Sequence, residues 1–264
     1  MSYHLWTDLP ASAFARFDTA RTVAILPTAA VEQHGPHLPV GTDTLIAEGM
    51  LAEARPLVPD ALDVVQLPVQ AVGKSNEHLW ARGTLTFTAE TALKAWVEIG
   101  LSVARAGLRK IVIVNSHGGN LDLISILSRE LRVQAGMIAV KCQWGSFGHP
   151  DGLFPPEEFA YGIHGGDVET SLMLHFRPRT VDMGQARMFT SRAETAPVPP
   201  IGPVSLGWVA KDLNPAGVVG NAAAATAEKG AAVAAHQAAG FATLLQTVAD
   251  MPLGDYAPTP GPDS

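Results

Sequence analysis

Three side chains of the kinds that bind metals crowd into one short segment, Glu32-Gln33-His34-Gly35-Pro36-His37-Leu38-Pro39-Val40-Gly41-Thr42-Asp43. Glu32 and His34 stand two residues apart, which puts both side chains on one side only in extended chain, and Pro36 and Pro39 help enforce that conformation. Asp43 falls where a long helix is expected to begin. Alone it would read as a cap for free backbone N–H groups. Beside Glu32 and His34 its two carboxylate oxygens suit it to bridge two cations, and together the three favour a metal. His37 is an alternative ligand that Pro36 directs away.

Two further segments supply chemistry of the same kind. His117 sits in Asn115-Ser116-His117-Gly118-Gly119-Asn120, directly after a strongly apolar run. Gly118 and Gly119 let the backbone approach a ligand closely and can turn N–H groups toward it, so both are candidate substrate contacts. The segment Tyr161-Gly162-Ile163-His164-Gly165-Gly166-Asp167-Val168-Glu169-Thr170-Ser171 places His164 in a glycine-rich turn and Glu169 in the first turns of a helix. Imidazole titrates nearest neutrality, so His164 is the candidate general acid or base. The helix dipole would favour Glu169 even without a metal. The apolar Leu172-Met173-Leu174 run after it implies burial, however, and a buried carboxylate needs a cation or hydrogen bonds. Glu169 is therefore a candidate for both ligation and catalysis.

A fourth loop, Gly73-Lys74-Ser75-Asn76-Glu77-His78, offers Ser75, Glu77 and His78 for substrate recognition, the plainer reading being a hydrogen-bonded turn. Lys74 gives it a local positive charge. His175, His149 and His4 lack polar company in sequence and read as structural. Trp80, Trp144 and Trp208 are candidates for the pocket wall.

Positioning these loops falls to an alternation of short β-rich runs with longer helical ones. Strands are predicted over residues 22–27, 63–69, 110–115 and 137–143, and helices over 43–57, 89–106 and 120–135. Such an order implies a mainly parallel sheet covered by helices on both faces. Ligands then bind beyond the carboxyl ends of the strands, so the loops after Pro27, Val69 and Asn115 should converge. A later helix is expected over 167–176, stopping before Pro178. A proline-rich loop should follow over 191–203, then an alanine-rich helix over 221–249 broken near Gly230.

With 264 residues, 47% hydrophobic and 16% charged, the chain has ample apolar surface for one domain, read as residues 1–254. Residues 255–264 form a Pro- and Gly-rich tail. A formal charge of -7 leaves no broad basic field for nucleic acid or anionic lipid. The N-terminus has no signal-peptide pattern and no apolar stretch is long enough to span a bilayer, so a cytoplasmic protein is expected. The lone Cys142 reads as structural.

The motifs LPTAAVEQHGPHLPVGTD, GKSNEHLWARGT, VNSHGGN and HGGDVETS, with a glycine-rich Asn214 to Gly220 segment after them, resemble the creatininase (creatinine amidohydrolase) family in order and context. The likeness covers most of the chain. It implies a three-layer α/β/α fold and a homo-oligomer, in that family a hexamer. It also implies two divalent metal ions per subunit, Zn, Mn or Fe, hydrolysing carbon–nitrogen bonds of small-molecule amides. Carried over residue by residue, Glu32, His34, Asp43 and His117 match ligands, Asp43 as the bridge, and His164 matches a catalytic histidine. The chain departs from creatininase proper at one point. That enzyme resembles a His-x-Glu arrangement at the third motif, whereas Gly119 stands in the glutamate's place, and Glu169 is expected to supply the missing ligand. This sets creatinine aside in favour of another cyclic amide or amidine, a formamide or a small-peptide bond. Two rival readings use comparable residues: a metal-dependent sugar isomerase or phosphoryl hydrolase, and a non-catalytic metal-binding protein.

Overall fold

Val23–Thr28 and Lys110–Asn115 are the two strands in which every residue is buried, and they lie side by side near the middle of the sheet. Unbroken apolar runs of this kind are what a parallel strand covered on both faces requires. The computed structural model describes residues 3–256. Its central sheet runs β1-β3-β2-β4-β5, with β1 Tyr3–Leu5, β2 Val23–Thr28, β3 Val64–Gln66, β4 Lys110–Asn115 and β5 Ile138–Gln143, every pairing parallel. The edge strand β1 was not among the four predicted strands. Three residues are too few to show a period, and its place is set by pairing with β3.

Helices cover both faces. On one side α2 (Ala89–Arg105) and α3 (Leu121–Ala135) bury Trp96, Val103, Ile124, Leu127 and Leu131 against Ala24, Leu26, Ile111 and Ile113. On the other α1 (Thr42–Ala54), α5 (Asp167–Phe176) and α7 (Ala227–Asp250) bury Ile46, Met50, Met173, Phe241 and Leu245 against Val23, Ile25, Val112 and Val114. The fold is thus the three-layer α/β/α arrangement expected from the alternation. Two short helices, α4 (Pro156–Tyr161) and α6 (Ala210–Leu213), and a two-stranded antiparallel pair, β6 (Met188–Phe189) with β7 (Gly220–Asn221), complete it. These are too short to announce themselves by periodicity. Among the described residues no helix is long and apolar enough to cross a membrane.

Lys110 is fully buried in a central strand because its Nζ donates to the carbonyls of Ala249 and Met251, both at 2.6 Å, at the carboxyl end of α7. Those carbonyls lack helical partners and carry the negative end of the helix dipole. Cys142 is buried and burial pushes its thiol up to about 12, in keeping with a structural role. His175 and His4, which lack polar company in sequence, find it in space, beside Glu53 at 3.0 Å and Asp63 at 3.4 Å. Most of the expected tail, residues 257–264, lies outside the described residues; Leu253–Tyr256 forms a 3-10 turn.

The expected break at Gly230 does not occur. A 3-10 turn, Ala222–Ala224, comes first, and α7 then runs unbroken from Ala227 to Asp250. Gly230 serves helix packing instead: a Cβ there would overlap the Ser171 carbonyl of α5 and lie 3.0 Å from the Cβ of His175. Overpacking of this kind typically costs about 1–3 kcal/mol. Gly230→Ala should therefore lower the urea midpoint by a corresponding amount without changing the slope, because the obstacle is backbone and the helices must separate.

Candidate metal centre

The loops that follow β2, β3 and β4 meet beyond the carboxyl ends of the strands. The Ala29 N–H donates to the Gln70 carbonyl at 3.0 Å, and the Ser116 N–H to the Thr28 carbonyl at 3.0 Å. Side chains complete the tie: Asn120 Nδ2 donates to the Ala29 carbonyl (3.1 Å), and Asn120 Oδ1 accepts from the Lys74 N–H (3.0 Å). Asn115 Oδ1 takes the hydroxyl of Thr28 at 3.0 Å and Asn120 Nδ2 at 3.1 Å. A polar seam of this sort is affordable in the interior only because its members satisfy one another.

Onto this seam the chain sets Glu32, His34, Asp43 and His117, all buried. Asp43 lies in the first turn of α1 but caps nothing; the N-cap position belongs to Gly41, with no side-chain capping bond. Its Oδ1 lies 3.3 Å from His34 Nε2 and its Oδ2 3.2 Å from His117 Nδ1. One carboxylate therefore faces two imidazoles through different oxygens. Glu32 Oε1 lies 3.3 Å from His117 Nδ1, 3.3 Å from His78 Nε2 and 3.6 Å from His164 Nδ1. Glu169 Oε2 sits 3.8 Å from His34 Nε2 and accepts from the Gly165 N–H at 2.5 Å. Three groups bring potential ligand atoms within 4.8 Å of one another: Glu32 with His34 and His164, Glu32 with Glu77 and His117, and His34 with Asp43 and Glu169.

The imidazoles are oriented by backbone carbonyls, and an oxygen acceptor fixes where each N–H must be. His34 Nδ1–H donates to the Glu32 carbonyl (3.1 Å), His117 Nε2–H to the Lys74 carbonyl (2.9 Å) and His164 Nε2–H to the Gln33 carbonyl (2.9 Å). The other nitrogen of each ring thus points its lone pair at the carboxylates. Fixing one nitrogen so that the other is free is how proteins prepare histidine for a metal. Four atoms in this cluster, Glu32 Oε1 and Oε2, His34 Nε2 and Asp43 Oδ2, are buried without a hydrogen-bond partner. Leaving carboxylates so placed costs several kcal/mol per ion unless a cation answers them. The donor set fits divalent metal.

Gln33 and His78 form the layer behind. Gln33 Nε2 donates to His78 Nδ1 (2.9 Å) and to the Gly217 carbonyl (2.5 Å), which leaves the Nε2–H of His78 facing Glu32. His78 is buried and its ring stacks on that of His164 at 4.5 Å. Its place is therefore behind Glu32, away from solvent. Ser75 is likewise fully buried, its hydroxyl 3.4 Å from His117 Nε2. Gly118 is exposed, Glu77 and Gly119 are partly so, and these three lie nearer the surface. His37, as Pro36 suggests, points elsewhere, its Nε2 donating to the Gly165 carbonyl at 3.0 Å. Trp144 donates to the Ser116 hydroxyl at 3.2 Å from a buried position, and Trp208 to the Pro200 carbonyl at 2.8 Å. In sequence the only signal for Gln33 is its place between two ligand types.

Charge follows from this geometry. Burial would depress His34, but Asp43, Glu169 and Glu32 overturn it and push the imidazole up to about 10. Burial likewise opposes charging of His117, and Glu32 and Asp43 hold it well above its ordinary value. Burial would raise Glu32 and Asp43, yet the surrounding histidines hold both carboxyls low. His164 goes the other way, to about 3, through burial and the neighbouring His34 charge. Burial raises Glu169 to about 7, with Asp43 adding to the rise against the pull of His34.

In the metal-free protein, then, the raised His34 and His117 favour protons at the lone pairs that a metal would use. Binding must release them, and affinity should rise by about tenfold per pH unit for each proton released. Calorimetry of metal uptake between pH 7 and 9 in buffers of different ionisation enthalpy checks this directly. A second consequence concerns stability. Because His34 is raised when folded, its contribution is complete below pH ~6.5 and lost as pH climbs through about 10. The metal-free protein should lose stability over that window.

Comparison with known proteins agrees with this architecture. The family model described as creatininase, creatinine amidohydrolase, matches residues 7–245. A mycofactocin precursor peptide peptidase of Mycobacterium ulcerans (strain Agy99) is 30% identical over 239 residues, covering 87% of this chain and 88% of that protein. The crystal structure of a putative creatinine amidohydrolase from Bacteroides fragilis superposes with a TM-score of 0.79 at 23% identity, covering 95% of this chain and 98% of that one. A mutant creatininase of Zn–Zn type gives 0.72 at 23% identity, covering 94% and 98%. The chain belongs to the creatininase family.

Proposed function

We propose that this chain hydrolyses the carbon–nitrogen bond of an amide, in a short peptide or a related small molecule, with two divalent cations held by Glu32, Asp43 and His117 on one side and by His34, Asp43 and Glu169 on the other. The observation that carries the reading is the unpartnered Glu32, His34 and Asp43 atoms facing one another inside a ring of carbonyl-fixed imidazoles. Zn, Mn or Fe would each suit mixed nitrogen and oxygen donors. The Zn–Zn creatininase of the same fold supports a pair of ions. Cations in such a site would lower the pKa of water toward about 7 and polarise a carbonyl.

The chain's own residues handle approach and protons. Side-chain exposure is 24% for Glu169, 11% for Glu77 and 10% for His164, against at most 4% for Glu32, His34, Asp43 and His117. Substrate therefore enters over Glu169, His164 and Glu77. The His164 Nε2–H is committed to the Gln33 carbonyl and its Nδ1 faces Glu32, so Nδ1 is the atom through which this side chain would relay a proton between water and the leaving nitrogen. A peptide bond is favoured over creatinine by Gly119, where creatininase resembles a glutamate, and by the likeness to the mycobacterial peptidase. Exposed Leu79, Trp80 and Leu85, just beyond His78 on the same loop, offer apolar surface to a peptide's side chains.

His164→Ala should keep its metal and lose about 100- to 10,000-fold in kcat. His34→Ala should lose metal itself. Elemental analysis beside turnover on a panel of short peptides, formamides and creatinine separates the two. Undiminished turnover by His164→Ala would remove its role, and fully metal-loaded protein that releases no amine from any member of the panel would overturn the reading.

A further inference from the structure

The two halves of the site draw on different loops. The His34 half has Asp43 and Glu169 around one imidazole. In the other half, the acidic side chain that joins Glu32 and His117 within 4.8 Å comes from a third loop, and it is Glu77. Glu169 groups with His34 and Asp43, whereas Glu77 lies directly beside Gly119. A Cβ built on Gly119 would overlap Glu77 Oε1 and would lie 2.5 Å from both His117 Nε2 and the Lys74 carbonyl oxygen. The space a side chain at 119 would occupy is thus filled by the loop after β3.

We propose that Glu77 completes the Glu32–His117 half as a donor to the cation held there, reaching in through space that only glycine at 119 leaves open. The inference rests on the metal-dependent reading above and adds a ligand that the motif around His117 does not contain. Three features of the loop fit this role. Its Lys74 carbonyl fixes the tautomer of His117 at 2.9 Å. Its His78 faces Glu32 from the same 3-10 turn, Asn76–His78, at 3.3 Å. Glu77 itself brings a ligand oxygen within 4.8 Å of ligand atoms of both Glu32 and His117, on a side chain only 11% exposed. One short segment therefore orients the histidine, backs one carboxylate and contributes another. The plain alternative is that Glu77 serves only as the partner of Lys74, whose Nζ lies 3.4 Å from Glu77 Oε2.

Glu77→Gln and Lys74→Met separate these roles, because the first removes the carboxylate charge while keeping its shape and the second removes only the partner. Metal-free wild type and both variants are titrated with Zn2+ or Mn2+ against a chromophoric chelator, and thermal midpoints of the metal-free forms check folding. Glu77→Gln should weaken one of the two binding steps by about 10- to 100-fold. Lys74→Met should leave both steps as in wild type. If Glu77→Gln does not fold, Glu77→Asp keeps the charge one methylene short and should weaken the same step. Wild-type affinity in Glu77→Gln, or equal weakening in Lys74→Met, would overturn the assignment while leaving the metal-dependent reading intact. Wild type that binds no divalent ion would instead overturn that reading and this inference with it.

Discussion

Two carboxylates taken out of water and set among imidazoles are the constraint on which the rest of this molecule depends. Glu32 and Asp43 are each at most 2% exposed at the side chain, and a charge so placed must be neutralised by a cation or by protons on its neighbours. The neighbours cannot rearrange to help. His34, His117 and His164 each have one nitrogen tied to a backbone carbonyl, so the second is aimed at the carboxylates whatever its protonation. Without a metal, Asp43 and Glu32 hold His34 and His117 above their ordinary values. The same electrostatic demand that raises those histidines is what a divalent ion would satisfy.

Such a site can exist only where several backbone segments end together, and a parallel sheet provides that at the carboxyl edge of its strands. The fourth segment, carrying His164 and Glu169, follows no strand of the sheet and has to be pinned by other means. Glu158 of α4 does this. Its Oε1 accepts from the Asp167 N–H at 2.6 Å and its Oε2 from the Asn221 N–H at 3.0 Å, tying the start of α5 to β7. Asp167 in turn pairs with Lys229 of α7 at 2.5 Å. The helix that presents Glu169 is thereby locked to the long C-terminal helix, and Gly230 lets the two pack closely enough for this to hold.

Much of this was legible in the residues. Period gave the alternation of strands and helices, because β2 and β4 are buried on both faces and read as continuous apolar runs. Helix α5 was bounded correctly by Pro178, and β4 by its polar flank. The clustering of Glu32, His34 and Asp43 in one loop, with His117 after a strand, was enough to expect their convergence. What escaped was whatever depends on tertiary approach. Gly230 looks like a helix break from one dimension and is a helix contact in three. Ser75 and His78 look like loop groups free for substrate, yet their loop folds over His117 and Glu32 and buries them. Glu158 and Gln33 carry no distinguishing pattern, since an acidic residue in a short helix and an amide between two ligands are ordinary.

The division of labour between backbone and side chain bears on how this scaffold accommodates different substrates. Tautomers here are set mainly by carbonyls of residues 32, 33 and 74, groups that no side-chain substitution removes. The prepared lone pairs therefore persist while the side chains on the approach change. Leu79, Trp80 and Leu85 contribute shape at the more exposed rim. A change confined to them leaves the charge arrangement below in place. The reverse does not hold: any change that moved the Glu32 or Lys74 carbonyl would release an imidazole, strand a buried carboxylate and cost stability as well as chemistry.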